Sequence, residues 1–445
     1  MTELKREIGL WRGVALNMID MVGIGPFITM PLILSAMGGG RAMLAWILGA
    51  LLAISDGLVT AELSAELPAS GGSYVFLREA YGRVKWGRLV SFLFLFQILI
   101  SAPLSIASGS KGFASYLKFV FPGITWSSGA IAALAALLLT ALLFRRIGSI
   151  GKLSILLWAG VLATIAIVVG AGLPHFRLSA VEFWNAPRLD ARAGWSGLGV
   201  ALIYAVYDYL GYYNICYIGD EIHEPEKTIP RVIVISIVAI AVIYFLMNAC
   251  LVSVLPMKQA MTSEHVFSDY LAVLMGSRWA KVVSILILWT GLASIFSLML
   301  GYSRILYAAA RDGNFFGMFS RLHPTGAFPY VALLALGIVG ALFCLLPLPT
   351  VIKSILSIRA IIPFMAQIVG SVVIRRRYPR GKRPFKMWLY PVPVFVALGL
   401  WAYIVASPEK GFQAAGAAVM SAGVVFFLGR SLLLKQWPFV RAQGP

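Results

Sequence analysis

The feature that most constrains this chain is a break inside an apolar run. From about Trp11 to Met37 the sequence is hydrophobic for long enough to cross a bilayer. Yet its middle reads Asp20-Met-Val-Gly-Ile-Gly-Pro-Phe-Ile-Thr29. Gly23 and Gly25 are poor helix formers, and Pro26 removes a backbone donor and crowds the preceding turn. The run therefore predicts a helix that breaks at Gly23–Pro26. Backbone freed from its ladder at membrane depth is tolerable only where it faces protein, a water-filled cavity or a ligand. The break is thus read as a binding site.

Composition says how many such runs to expect. Of 445 residues, 60% are hydrophobic and 12% charged, with a mean hydropathy of +0.86. That excludes a soluble globular domain and points to an all-α polytopic membrane protein. The start of the chain lacks a small-residue cleavage site, so the first span is expected to be retained. Cys216, Cys250 and Cys344 all lie in apolar runs, which argues against a disulfide framework or a thiolate metal site. The formal net charge of +19 is read as cytoplasmic loops facing anionic lipid, not as a nucleic-acid footprint.

A span length near twenty residues predicts about twelve crossings: 12–37, 42–65, 87–113, 125–144, 151–172, 195–218, 230–255, 279–306, 328–346, 351–374, 388–406 and 412–433. With the N-terminus inside, most Lys and Arg fall on the cytoplasmic side, including the turn Arg145–Lys152 and the cluster Arg375–Lys386. This places the chain in the cell (inner, cytoplasmic) membrane with both termini cytoplasmic. The Gly/Pro-marked stretch Glu62–Gly82 reads as a re-entrant or interfacial loop, and Ser263–Leu274 as a short outer helix. Residues 173–194 read as an exposed stretch.

The sixth span is as unusual as the first. Tyr204-Ala-Val-Tyr-Asp-Tyr-Leu-Gly-Tyr-Tyr-Asn214 packs five tyrosines, an aspartate, an asparagine and a glycine into eleven residues. Such a segment must line protein or water. The two interrupted spans stand five apart, so corresponding spans would run antiparallel, the pattern of inverted repeats with discontinuous helices at the midplane. The organisation expected is a first repeat over 1–172 (helices 1–5), a second over 195–374 (helices 6–10) and accessory helices 11 and 12 over 388–433.

At Gly23-Ile-Gly-Pro-Phe27, Leu67-Pro-Ala-Ser-Gly-Gly-Ser-Tyr74 and Asp220-Glu-Ile-His-Glu-Pro-Glu-Lys-Thr-Ile-Pro-Arg231 the chain resembles the amino acid–polyamine–organocation (APC) permeases. These motifs cover roughly the first 230 residues; beyond them the match is in span count. The resemblance implies a LeuT-like five-plus-five inverted repeat with substrate between broken helices 1 and 6. Many members read Gly-Ser-Gly-Ile-Phe where this chain has Gly-Ile-Gly-Pro-Phe, which is closer to the polyamine-type branch. Some proton-coupled relatives carry a lysine midway along span five, where this chain has Ala163 and Thr164.

The candidate site follows. The amides of Gly23, Ile24 and Gly25, at a half-helix N-terminus, attract a carboxylate; close helix packing through small residues is the competing reading. The resemblance implies that Tyr207 covers the substrate and that Asp208 contacts an amine, with Tyr204 and Tyr212 secondary. Asp20 is a candidate proton carrier or amine ligand. Asp56 and Glu62 are read as structural, paired with loop arginines. Arg359, inside span ten, is a candidate gate or partner of Asp208, with snorkelling outward as the alternative. Gln97, Ser294 and Ser297 are polar at mid-span depth and could line the cavity or join helices. His175, His223, His265 and His323 fall in loops, so no metal site is expected.

These readings favour a secondary active amino acid transporter using alternating access and proton coupling through Asp20 or Asp208. Sodium held near Val22, Ser294 and Ser297 is the other coupling reading, and a polyamine or organic cation carrier or an amino acid exchanger is the alternative function. A channel would need a repeated filter or a ring of like charge, and an enzyme a metal, phosphate or nucleophile signature; neither is present. The expected partners are an amino acid or amine, protons or Na+, and the lipid bilayer, with no nucleic acid and no cofactor.

Overall fold

The computed structural model describes residues 6–39, 41–144, 147–177, 191–324, 326, 328–377 and 383–439. The arginines at 145–146, most of the exposed stretch at 173–194 and residues 378–382, with Arg380 and Lys382, lie outside the described residues.

The first break falls where the glycines and proline put it. Helix α1 (Leu10–Met21) ends at Val22, whose N–H reaches Met18 O at 2.8 Å. Helix α2 (Gly25–Met37) starts at Gly25 with Pro26 in its first turn, where the missing donor costs nothing. The two halves are bent by 42°. There follow α3 (Ala42–Glu66), α4 (Ser73–Tyr81), α5 (Trp86–Val120), α6 (Ser128–Leu142) and α7 (Ile147–Gly172). The stretch read as a loop at Glu62–Gly82 thus holds a helix: Ser73–Tyr81 buries Tyr74, Phe76, Leu77 and Ala80, an apolar face that the turn residues around it obscured.

Helix α8 (Ala191–Tyr209) stops inside the tyrosine-rich stretch. Gly211 takes φ +121°, a region closed to most side chains, and a Cβ there would lie 2.6 Å from Asp20 Oδ2. The chain resumes as a 3₁₀ segment, Asn214–Glu221. Then come α9 (Pro225–Val254), α10 (Met257–Thr262), α11 (Val266–Met275), α12 (Ser277–Arg311), α13 (Tyr330–Phe343) and α14 (Leu348–Arg359). A π-helical turn over Ala360–Ala366 joins α14 to α15 (Gln367–Arg377), and α16 (Val392–Ala406) and α17 (Lys410–Leu433) close the fold.

Among the described residues seven helices are long and apolar enough to cross a membrane, and the bent pair α1–α2 makes an eighth. The spans predicted at 125–144, 328–346 and 388–406 correspond to shorter apolar helices, α6, α13 and α16. Helices α3 and α9 pack along each other, as do α5 and α12. Within this frame α2 lies on α8, while α1 lies against α7, α9 and α12. The 3₁₀ segment packs against α1, α9 and α12, so the two interrupted elements face one another. Side chains such as Leu138, Val242, Phe426 and Leu433 point outward and exposed, as the lipid-facing surface of a membrane bundle requires.

Of the two acids read as structural, Glu62 pairs with Arg375 at the end of α15 and also accepts the Met387 N–H at 2.7 Å. Asp56 does not meet an arginine. It sits mid-helix in α3, buried, and its partner is the Tyr212 hydroxyl from the unwound stretch.

Candidate functional site

Where the breaks meet there is a small cavity. The end of α1 brings Asp20 to it, the break brings Gly23, Ile24 and Gly25, and the end of α8 brings Tyr207 and Asp208. Ser294 of α12 and Arg359 at the end of α14 complete the predicted residues that share this wall.

Asp208 is 2% exposed. Thr29 Oγ1, one turn into α2, donates to its Oδ2, and its Oδ1 has no hydrogen-bond partner. That free oxygen lies at the start of α2: a Cβ built on Gly25 would collide with it. Asp20, 7% exposed, accepts from Asn214 Nδ2 through Oδ2, and its Oδ1 is likewise unpaired. Neither carboxylate forms an ion pair among the described residues. The Tyr244 hydroxyl from α9 lies against the carbonyls of both Met21 and Asp208, so one side chain ties the two breaks together.

Arg359 is 3% exposed and does not snorkel outward. Its Nη2 donates to Ser101 O at 3.0 Å and to Ser105 Oγ at 2.9 Å, and its guanidinium lies 5.2 Å from the centre of the Tyr302 ring. The expected pairing with Asp208 is absent: the serines of α5 hold the guanidinium instead, while its Nε stays unpaired. Tyr207 Oη and Ser108 Oγ are 2.7 Å apart, which fixes the tyrosine ring across the cavity wall.

Three predicted residues lie elsewhere. Tyr204 is buried one turn earlier on α8, away from the cavity. Gln97 lines a neighbouring void with Tyr213, Tyr302 and Arg359, and its Oε1 accepts from Ser101 Oγ at 3.0 Å. Ser297 donates to Leu16 O at 3.1 Å and faces a third void beside Asn17 and Asn214. Ser294 donates to Gly291 O at 3.0 Å within its own helix. Among the described residues no group of three or more His, Cys, Asp or Glu could hold a metal ion. Thr164 Oγ1 lies 2.8 Å from Gly160 O and 3.2 Å from Leu286 O, joining α7 to α12.

Sequence reasoning missed Thr29, Ser105, Tyr213, Tyr244 and Tyr302. Two of them carry a readable signal. Gln97, Ser101, Ser105 and Gly109 recur every four residues on α5, and Ser294, Leu298 and Tyr302 do so on α12, the spacing of one helical face.

The sequence matches the family model described as amino acid permease over residues 8–428. The serine/threonine exchanger SteT of Bacillus subtilis (strain 168) is 26% identical over 404 residues, covering 89% of this chain and 90% of that protein. Asc-type amino acid transporter 1 of Homo sapiens is 27% identical over 447 residues, covering 96% and 82%. The human large neutral amino acids transporter small subunit 2 is 26% identical over 444 residues, covering 96% and 81%.

Proposed function

The chain belongs to the amino acid permease family of the APC transporters, and from that footing we propose that it is a secondary active transporter of amino acids and related amines. Substrate sits between the α1–α2 break and the end of α8, and alternating access comes from rocking of helices about these points. One observation carries the reading. Two unwound backbone segments and two buried carboxylates, each with an unpaired oxygen, converge on one cavity, an expensive arrangement in a membrane unless a ligand or proton uses it.

The proposal includes about twelve crossings arranged as a five-plus-five inverted repeat over 1–172 and 195–374, with 388–433 accessory, in the cell membrane with cytoplasmic termini. The short helices α6, α13 and α16 are then crossings embedded in the bundle. Gly23, Ile24, Gly25, Tyr207 and Asp208 hold substrate. Proton coupling runs through a carboxylate, Asp20 or Asp208, since span five offers Thr164 in place of a lysine. Exchange of one substrate for another is the second reading, favoured by the likeness to a named exchanger.

Reconstituted protein in liposomes tests this. Saturable, stereoselective uptake supports the transporter; non-saturating flux sinks it. Accumulation driven by an inward pH gradient without sodium supports proton coupling, and uptake that needs only internal substrate supports exchange.

A further inference from the structure

Asn214 stands between Asp20 and the third void. Its Nδ2 donates to Asp20 Oδ2. An amide bonded to a carboxylate must present its nitrogen, so the Asn214 oxygen is left for another partner. That oxygen has none, and Asn214, 6% exposed, lines the void on the side of Asp20 toward the start of α1. Asn17 lines the same void one turn before Asp20. It is 1% exposed, and neither polar atom of its side chain has a hydrogen-bond partner. Ser297 is the third polar group there; its hydrogen goes to Leu16 O, which leaves the hydroxyl oxygen able to accept. The rest of the wall, Leu16, Ile215, Ile218, Leu300 and Gly301, offers no polar side chain.

We propose that this void is a water site, and that Asn17 acts through its water to hold Asn214 on Asp20. The water accepts from the Asn17 amide and donates to Asn214 Oδ1 and to Ser297 Oγ or Asn17 Oδ1. The void is too small for an amino acid and suits a water molecule, whose two to four partners these groups supply. A carboxamide at membrane depth with both of its groups unmatched is what protein interiors otherwise avoid. The role of Asn17 rests on the reading of Asp20 as a coupling carboxylate and adds a positioning residue to it. Around Asp20, Arg359, Tyr207, Asp208, Tyr213 and Tyr302 share its cavity, and Tyr244 bonds the end of its helix. None of these lines the void, so a change at Asn17 reaches Asp20 through the Asn214 bond and leaves those groups in place.

The test uses the purified full chain. In detergent, brief X-ray radiolysis oxidises side chains that lie beside ordered water. Leu16, Ile215 and Ile218, buried at the void, are expected to oxidise faster than Ile33 and Ile240, which are buried and line none of the three voids. Equal rates mean a dry void and overturn the water site. Melting gives an independent sign. In a hydrated void Asn17→Leu deprives the water of partners and melts lower; in a dry one it removes two orphaned groups and melts higher. A higher melting temperature therefore also overturns the water site. In liposomes, Asn17→Leu is expected to move the midpoint of pH-driven uptake upward by about half to one pH unit, the size of one weakened hydrogen bond. The sign follows because the ionised carboxylate loses support, so the proton is held to higher pH. Asn17→Ser, which keeps a hydroxyl and leaves room for more water, should stay near wild type. An unmoved midpoint in Asn17→Leu, or an equal shift in Asn17→Ser, overturns the positioning role while leaving proton coupling standing. If wild-type uptake itself ignores pH, the coupling reading falls and takes the positioning role with it, and radiolysis still decides the water site. Asn17→Val replaces Asn17→Leu if the latter does not fold.

Discussion

The hydroxyl of Tyr212 donates to the buried carboxylate of Asp56, joining the unwound stretch after α8 to the middle of α3. No cation reaches Asp56 among the described ion pairs, so this bond serves its Oδ2, while Oδ1 has no hydrogen-bond partner. Tyr212→Phe is expected to destabilise the protein by about 1–3 kcal/mol, the cost of orphaning a buried acceptor. Adding Asp56→Leu should recover part of that loss. Melting in detergent checks both; equal melting of wild type and Tyr212→Phe would remove the role given to this pair.

Gly25→Leu is expected to abolish uptake while expression stays near normal, because the new side chain runs into Asp208 and fills the start of α2. Gly399→Leu in α16 is the control, since a Cβ there meets nothing within 4 Å. Full uptake by the Gly25 variant would show that substrate binds elsewhere.

Asp20→Asn should keep the hydrogen bond from Asn214 in altered form but lose the charge. Accumulation against a gradient is expected to vanish, with exchange of internal for external substrate retained. The sign is fixed: a carboxylate that carries a proton inward makes wild-type uptake rise as external pH falls, and the variant should be flat. A variant with the wild-type pH profile assigns coupling to another group.

Tyr244→Phe frees the carbonyls of Met21 and Asp208 together. Maximal transport rate should fall about tenfold, with a stability loss near the ~1 kcal/mol of one neutral hydrogen bond. A rate unchanged beyond the stability effect would mean that the two breaks move independently of this tie.

The first break was legible because glycine and proline act locally, and nothing in the bundle overrides them at Gly23–Pro26. Tyr207 and Asp208 were legible because polar groups at such density in an apolar run must face inward. What could not be read was pairing across the bundle. Arg359 and Asp208 have opposite charge, yet Ser101 and Ser105 of α5 reach the guanidinium first. Whether Gln97 or Ser105 faces the cavity depends on where α5 crosses it, which sequence spacing leaves open. The interruption of the sixth span was read from the tyrosine-rich stretch and its glycine, but not its position: α8 ends at Tyr209, two residues before Gly211 takes its positive φ.

The π-helical turn at Ala360–Ala366 follows Arg359 directly. Such a turn accommodates one residue more than an α-helix in the same length, and each residue of an α-helix advances about 100°. Losing a single residue from this segment would let it close into regular helix of nearly the same length and turn, so α14 and α15 would keep close to their present relation and Arg359 would stay beside the Tyr302 ring. The same loss inside a regular α-helix would instead turn everything on one side of it by about 100°. The turn next to Arg359 is thus a place where the chain can change length by one residue without moving the cavity's positive charge.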